Sequence, residues 1–176
     1  IEEDVFQATR SFIDDPQTLP CSHPRIAWQE MSRSIDPRTM QPALVPPNVV
    51  LTNKAPYLLW KRGDEKDQAF LLGILSSRPL DWYLKRFVET DVNPFLIYPL
   101  PIPRPGREDR LWKRVVALAG RLAAADDRFE KWADLVGVEC GPIEDDYKDV
   151  MVCELDALVA HLYGLSPSQL KHIFET

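Results

Sequence analysis

The sequence predicts an α+β fold: a small mixed or antiparallel sheet with a helical hairpin, followed by a C-terminal group of three or four helices. Three observations carry this. From Arg25 to Trp60 the apolar runs are short, rich in branched and aromatic residues, and separated by proline turns. From Gln68 to Val88 apolar residues recur at a spacing of three and four. Beyond Pro105-Gly106 that helical spacing governs the rest of the chain.

Taken in order, residues 1–20 are a lead-in or linker, apolar and acidic, ending in Asp15-Pro16 and Leu19-Pro20. Residues 21–106 form the α+β part. RIAWQEM, ALV, NVVLTN and APYLLW read as strands, punctuated by Asp36-Pro37 and Pro46-Pro47. QAFLLGILS (Gln68 to Ser76) and LDWYLKRFV (Leu80 to Val88) read as a helical pair split at Arg78-Pro79. The run Phe95-Leu96-Ile97-Tyr98 reads as a further strand. It leads into Pro99, Pro101, Pro103 and Pro105, which recur every second residue. An extended chain puts all four on one side, and because proline cannot donate to a ladder, the segment is expected at an edge or outside pairing altogether. Polyproline ligands of signalling domains repeat every three residues, which excludes that role.

Residues 107–176 form the helical part. Leu111, Val115, Leu118 and Leu122 make one stripe, and Phe129, Trp132 and Leu135 make a second before Gly137. The acidic loop Gly141 to Asp146 precedes a helix of about fifteen residues ending at Gly164. Ser166-Pro167-Ser168-Gln169 is a capping box with proline at the first helical position.

A chain of 176 residues, 45% hydrophobic, can bury one sizeable core. No apolar segment approaches the roughly 18 to 20 residues needed to cross a bilayer, so no membrane partner is expected. Cys21, Cys140 and Cys153 are odd in number and far apart, as reduced thiols of a cytoplasmic protein would be. Beginning at Ile1 rather than Met, the chain is expected to be a piece of something longer.

The net charge of −6 argues against indiscriminate binding to nucleic acid, yet the charge is uneven. Between Cys21 and Arg62 six basic residues (Arg25, Arg33, Arg38, Lys54, Lys61, Arg62) meet two acidic ones (Glu30, Asp36). From Leu111 onward seven basic residues meet twelve acidic ones. The basic half also carries Trp28, Tyr57, Trp60, Trp82 and Tyr83, with Lys85 and Arg86 close behind, an interleaving suited to stacking and phosphate contact.

Asn93-Pro94-Phe95 is close to the Asn-Pro-Pro-aromatic signature of enzymes that methylate exocyclic amines of DNA bases. The second proline is missing, and the seven glycines (63, 73, 106, 120, 137, 141, 164) include no Gly-x-Gly to hold S-adenosylmethionine. No catalytic residue is therefore assigned. Asp146-Tyr147-Lys148 supplies half of a metal-dependent phosphodiesterase centre but lies in a turn-like acidic loop, where carboxylates favour a helix start. Cys21-Ser22-His23 has no second ligand pair, so no metal is assigned either.

Three separated blocks carry a resemblance: RIAWQEMSRSIDPRTMQPALVPPN, LLGILSSRPLDWYLKRFVETDVNPFLIYPLPIPRP and ELDALVAHLYGLSPSQLKHIF. In that order they resemble the C-terminal region of large bacterial type II restriction-modification adenine methyltransferases, with a TaqI-like specificity domain, also found in phage-defence systems. The resemblance implies a target recognition domain that reads double-stranded DNA without catalysing anything itself. It implies that S-adenosylmethionine and the true Asn-Pro-Pro-aromatic loop belong to a methyltransferase domain upstream in the same polypeptide, in the bacterial cytoplasm. Arg25, Arg33, Arg38, Thr39, Lys54, Lys61, Arg62, Lys85 and Arg86 are the expected DNA-binding residues, centred on the polar loop from Arg33 to Thr39. The rival readings are a docking module of a defence complex and a nuclease using Asp146 and Lys148.

Overall fold

The structure, a computed structural model, describes residues 19–32, 36–60 and 62–176. A two-stranded antiparallel sheet and seven helices make up the described chain, an α+β architecture. Strand β1 (Arg25–Trp28) pairs with β2 (Pro42–Val45) in the register Arg25 to Val45 and Trp28 to Pro42. All four β1 residues are buried, because the chain covers its second edge as well. Trp28 N–H donates to Pro56 O at 3.1 Å and Leu58 N–H to Ile26 O at 2.9 Å. This is where APYLLW was expected to add a strand. It reduces to a single bridge, Ala27 to Tyr57, because Pro56 has no N–H to continue the ladder. NVVLTN forms no strand: Asn48 turns at φ 63°, closing the Pro47-Asn48 corner.

Helix α1 (Glu65–Ser76) starts at Asp64, whose carboxylate accepts from the Lys66 and Asp67 amides while the Asp67 side chain accepts from the Asp64 amide. Gly63, at φ +95°, makes the turn into this cap, a conformation that favours glycine. Ser77 ends α1 and caps α2 (Arg78–Leu84), with Pro79 inside the first turn. The expected helical pair is therefore present, its split falling one residue before Arg78.

The run Phe95 to Tyr98 is not a strand. Asn93 adopts an extended conformation (ψ 152°) and Pro94 opens a single helical turn, α3 (Pro94–Ile97). Residues 99 to 106 then run without helix or strand, so the alternating prolines stand outside any ladder, as their spacing requires.

Helix α4 (Arg110–Ala123) begins at the Asp109 cap and α5 (Glu130–Val136) follows a short 3-10 turn, Asp127–Phe129. Trp132, Ala133 and Val136 face inward on α5, whereas Leu135, expected in the buried stripe, is exposed. Helix α6 (Asp145–Leu162) reaches its end just before Gly164, and α7 (Pro167–Glu175) carries the full Ser166 to Gln169 capping box.

A single apolar cluster draws on both sides of Gly106, from Ile26 and Trp28 through Phe70 and Ile74 to Trp112, Trp132, Leu155 and Val159. Arg107 reinforces the junction, reaching back to Asp64 at 2.8 Å and also pairing with Asp67. Helices α1 and α4 approach closely at Gly73, where an added Cβ would lie 2.9 Å from Val115 Cγ1 and 3.0 Å from Ala119 Cβ. Gly73→Ala is accordingly expected to destabilise by about 1–3 kcal/mol through overpacking, outweighing the roughly 1 kcal/mol that alanine gains in a helix. Urea unfolding checks this, as a lowered midpoint with an unchanged slope.

Candidate nucleic-acid interface

The nine sequence-predicted residues do not form one surface. Arg25 is 4% exposed. Its guanidinium donates to Pro20 O at 3.1 Å and to Val49 O, and lies 4.9 Å over the Tyr57 ring. It ties the Pro20–Ser22 3-10 turn and the loop after β2 onto the sheet. Thr39 is fully buried. Both are thus interior residues of the fold, with no free face to offer a base edge. Arg33 and Lys61 lie outside the described residues.

Around Thr39, a buried polar cluster holds the loop between the two strands from beneath. Asp81 of α2, 4% exposed, accepts from the Thr39 amide at 2.9 Å and the Met40 amide at 2.6 Å. Arg38 Nη2 donates to Ser76 O at 2.6 Å, and its Nη1 is buried without an acceptor. Burial lowers the Arg38 pKa from its ordinary value, against the opposing pull of Asp81 and Asp156. Arg78 donates Nη1 to Pro37 O at 3.0 Å, and its amide to Asp156 Oδ1 at 2.7 Å. The loop from Asp36 to Gln41 is therefore clamped to the end of α1 and to α2, and α2 is in turn tied to α6 through Asp156. Arg38 acts as a clamp residue in this arrangement.

Burial raises the Asp156 carboxyl above its ordinary 3.8, and the Arg78 amide and the charges of Arg38 and Arg78 do not reverse this. The native protein thus holds this proton across a window in which the unfolded chain has lost it. Its contribution to stability is present below pH 3.8 and declines as pH rises through the folded value. The stability advantage of the wild type over Asp156→Asn is expected to shrink from pH 4 to pH 7 in urea titrations. An advantage that grows with pH would contradict the assignment.

Outside that cluster, four of the described residues in the predicted set reach solvent. Lys54 pairs with Glu30 at 2.7 Å. Arg62 is exposed and makes no ion pair among the described residues. Lys85 caps the end of α2 through its amide, which bonds to Asp81 O at 2.9 Å, and its ammonium has no partner among the described residues. Arg86 is exposed, its guanidinium carbon 3.9 Å from the centre of the Trp82 ring. The Trp82 indole N–H donates to Thr176 Oγ1 at 2.9 Å, and His172 meets the ring edge-on at 6.1 Å, so α7 fixes the platform on which Arg86 rests. Beside it Tyr83 and Phe87, 41% and 54% exposed, pack with ring centres 5.1 Å apart.

This basic and aromatic patch at the end of α2 is the part of the predicted set that the fold brings together. A guanidinium held over an indole face by cation–π attraction still has N–H donors to offer an anion. The two exposed rings next to it offer apolar and stacking surface. Arg78, the clamp beneath the loop, was not among the predicted residues; the Ser77-Arg78-Pro79 cap was the only local sign of its position.

Among the described residues no group of three His, Cys, Asp or Glu side chains could hold a metal ion. Asp146 and Lys148 are exposed on the first turn of α6. The Asn93 side chain makes no capping bond at α3. Among the described residues no helix is long and apolar enough to cross a membrane. No family model, curated protein or solved structure matches this chain.

Proposed function

We propose that this chain is a target recognition domain of a bacterial adenine-specific DNA methyltransferase, from a restriction-modification or phage-defence system. In this reading it binds double-stranded DNA, and an upstream domain of the same polypeptide holds S-adenosylmethionine and performs the transfer. The observation that carries it is the patch at the end of α2, where Lys85 and Arg86 have no carboxylate partner among the described residues and Arg86 is braced on Trp82. Phosphate contact needs such free cations, and their fixed placement gives register on the duplex. The three sequence blocks that resemble the methyltransferase C-terminal region support the same reading. The acidic helices α5 and α6 then face away from DNA or toward the catalytic domain.

Selection from a randomised duplex pool tests it: one short enriched sequence is expected. A docking module of a defence complex, the second reading, is favoured by the exposed rings of Phe95 and Tyr98 beside the free prolines. It would enrich nothing. Calorimetric titration with S-adenosylmethionine is expected to show no binding to this chain, and micromolar affinity would overturn the division of labour.

A further inference from the structure

Leu84 and Val88, both buried, bracket the turn that ends α2. Within it the Arg86 amide donates to Tyr83 O at 3.2 Å and the Phe87 amide to Leu84 O at 2.9 Å, so the exposed side chains of Tyr83, Arg86 and Phe87 stand on fixed backbone. The Tyr83 and Phe87 rings meet at 57°, so a flat ligand can lie on only one of them while the other meets its edge. An apolar cavity of about 180 Å³ adjoins Tyr83, with Trp82, Pro101 and Ile173 among its other walls. It is smaller than the roughly 300–1,000 Å³ of sites for drug-sized ligands, and suits no more than a small ring system.

The cations and the rings of this patch complement different parts of a nucleic acid. Lys85 and Arg86, without a carboxylate partner among the described residues, suit phosphates, which every duplex presents. Exposed ring faces suit base faces, and in an intact duplex those are covered by the neighbouring base pairs. A ligand that satisfies both therefore has at least one base out of the stack.

We propose that the patch at the end of α2 binds an unpaired nucleotide within a duplex. The base stacks on Phe87, the more exposed of the two rings, with Tyr83 at its edge, and the flanking phosphates pair with Lys85 and Arg86. This inference rests on the reading of the patch as a nucleic-acid surface and adds the class of ligand. A paired duplex engages the cations alone, whereas an unpaired nucleotide engages the rings as well. A base that is already unpaired is also the least costly to draw out of the stack.

The experiment measures, by fluorescence anisotropy at low salt, the binding of the intact chain to three duplexes of one mixed sequence. One is fully paired, one carries a single inserted adenine nucleotide, and one carries an abasic site at that insertion. Phe87→Leu and Tyr83→Leu, which keep apolar bulk but lose the flat face, are measured alongside the Lys85→Ala, Arg86→Ala double variant, each checked by urea unfolding. The inserted adenine is expected to raise affinity about tenfold over both other duplexes. Phe87→Leu is expected to lose most of that advantage while keeping the paired-duplex affinity and its salt slope, and the double variant to weaken all three complexes. Equal affinity for the three duplexes, or an abasic insertion bound as tightly as the adenine, would overturn this inference and leave duplex binding standing. An adenine advantage that survives in both ring variants would overturn it too. No binding to any of the three would overturn both this inference and the reading on which it rests.

Discussion

Replacing Asp81 by alanine is expected to destabilise the protein by about 3–5 kcal/mol, the range for removing one partner of a buried charged network. The carboxylate is almost wholly enclosed and receives two backbone donors, from Thr39 and Met40. Without it both amides are left buried and unpaired, each at a cost of about 1–3 kcal/mol. The half-buried Arg38 also loses a negative neighbour that offsets its desolvation. Asp81→Asn retains one acceptor oxygen and is expected to lose clearly less. Urea unfolding of the two variants measures the difference. A loss below about 1 kcal/mol for Asp81→Ala would show that the loop between the strands is not held from beneath.

The same cluster changes the meaning of any substitution at Arg38. Arg38→Ala removes a guanidinium that lies near two buried carboxylates and bonds to Ser76 O. Its first consequence is on folding, so a weakened DNA affinity in that variant would not identify a base contact.

The Lys85→Ala, Arg86→Ala double variant is expected to have the largest effect on duplex binding. Among the described residues neither cation has an ion-pair partner, and Arg86 is exposed and Lys85 partly so, so each can displace a counterion from a phosphate. The dependence of log K on log salt is expected to flatten by about two units in the double variant, with affinity at low salt falling about tenfold or more. Neither side chain supports the core, so the unfolding midpoint should change little. An unchanged salt slope would remove this patch from the interface and leave Arg62 as the remaining exposed cation of the predicted set without an ion pair among the described residues.

How much of this was legible in the sequence depended on how local its cause was. The Ser166 box was readable because its two bonds join residues three apart. The helical pair was readable from apolar spacing alone. The helical turn at Pro94 was misread: the aromatic and branched residues of Phe95 to Tyr98 suggested a strand, while Asn93-Pro94 was setting up a cap and a first helical position. Pro56 likewise gave local warning that APYLLW could not complete a ladder.

The candidate site was harder to read. The Thr39 amide finds its acceptor 42 residues away, so no local pattern announces the clamp. Arg25 looked like a surface cation because its partners are backbone carbonyls, which every residue carries and no sequence distinguishes. Lys85 and Arg86 were singled out by their nearness to Trp82 and Tyr83 in the sequence. That the indole holds the guanidinium, and that the last residue of the chain holds the indole, follows only from the fold.

The most direct measurement is the affinity of the unmodified chain for duplex DNA between 50 and 200 mM salt, followed by fluorescence anisotropy over this conventional range. A DNA target recognition domain is expected to bind, with log K falling linearly as log salt rises. Absence of binding at the low-salt end, or an affinity that does not change with salt, would contradict it.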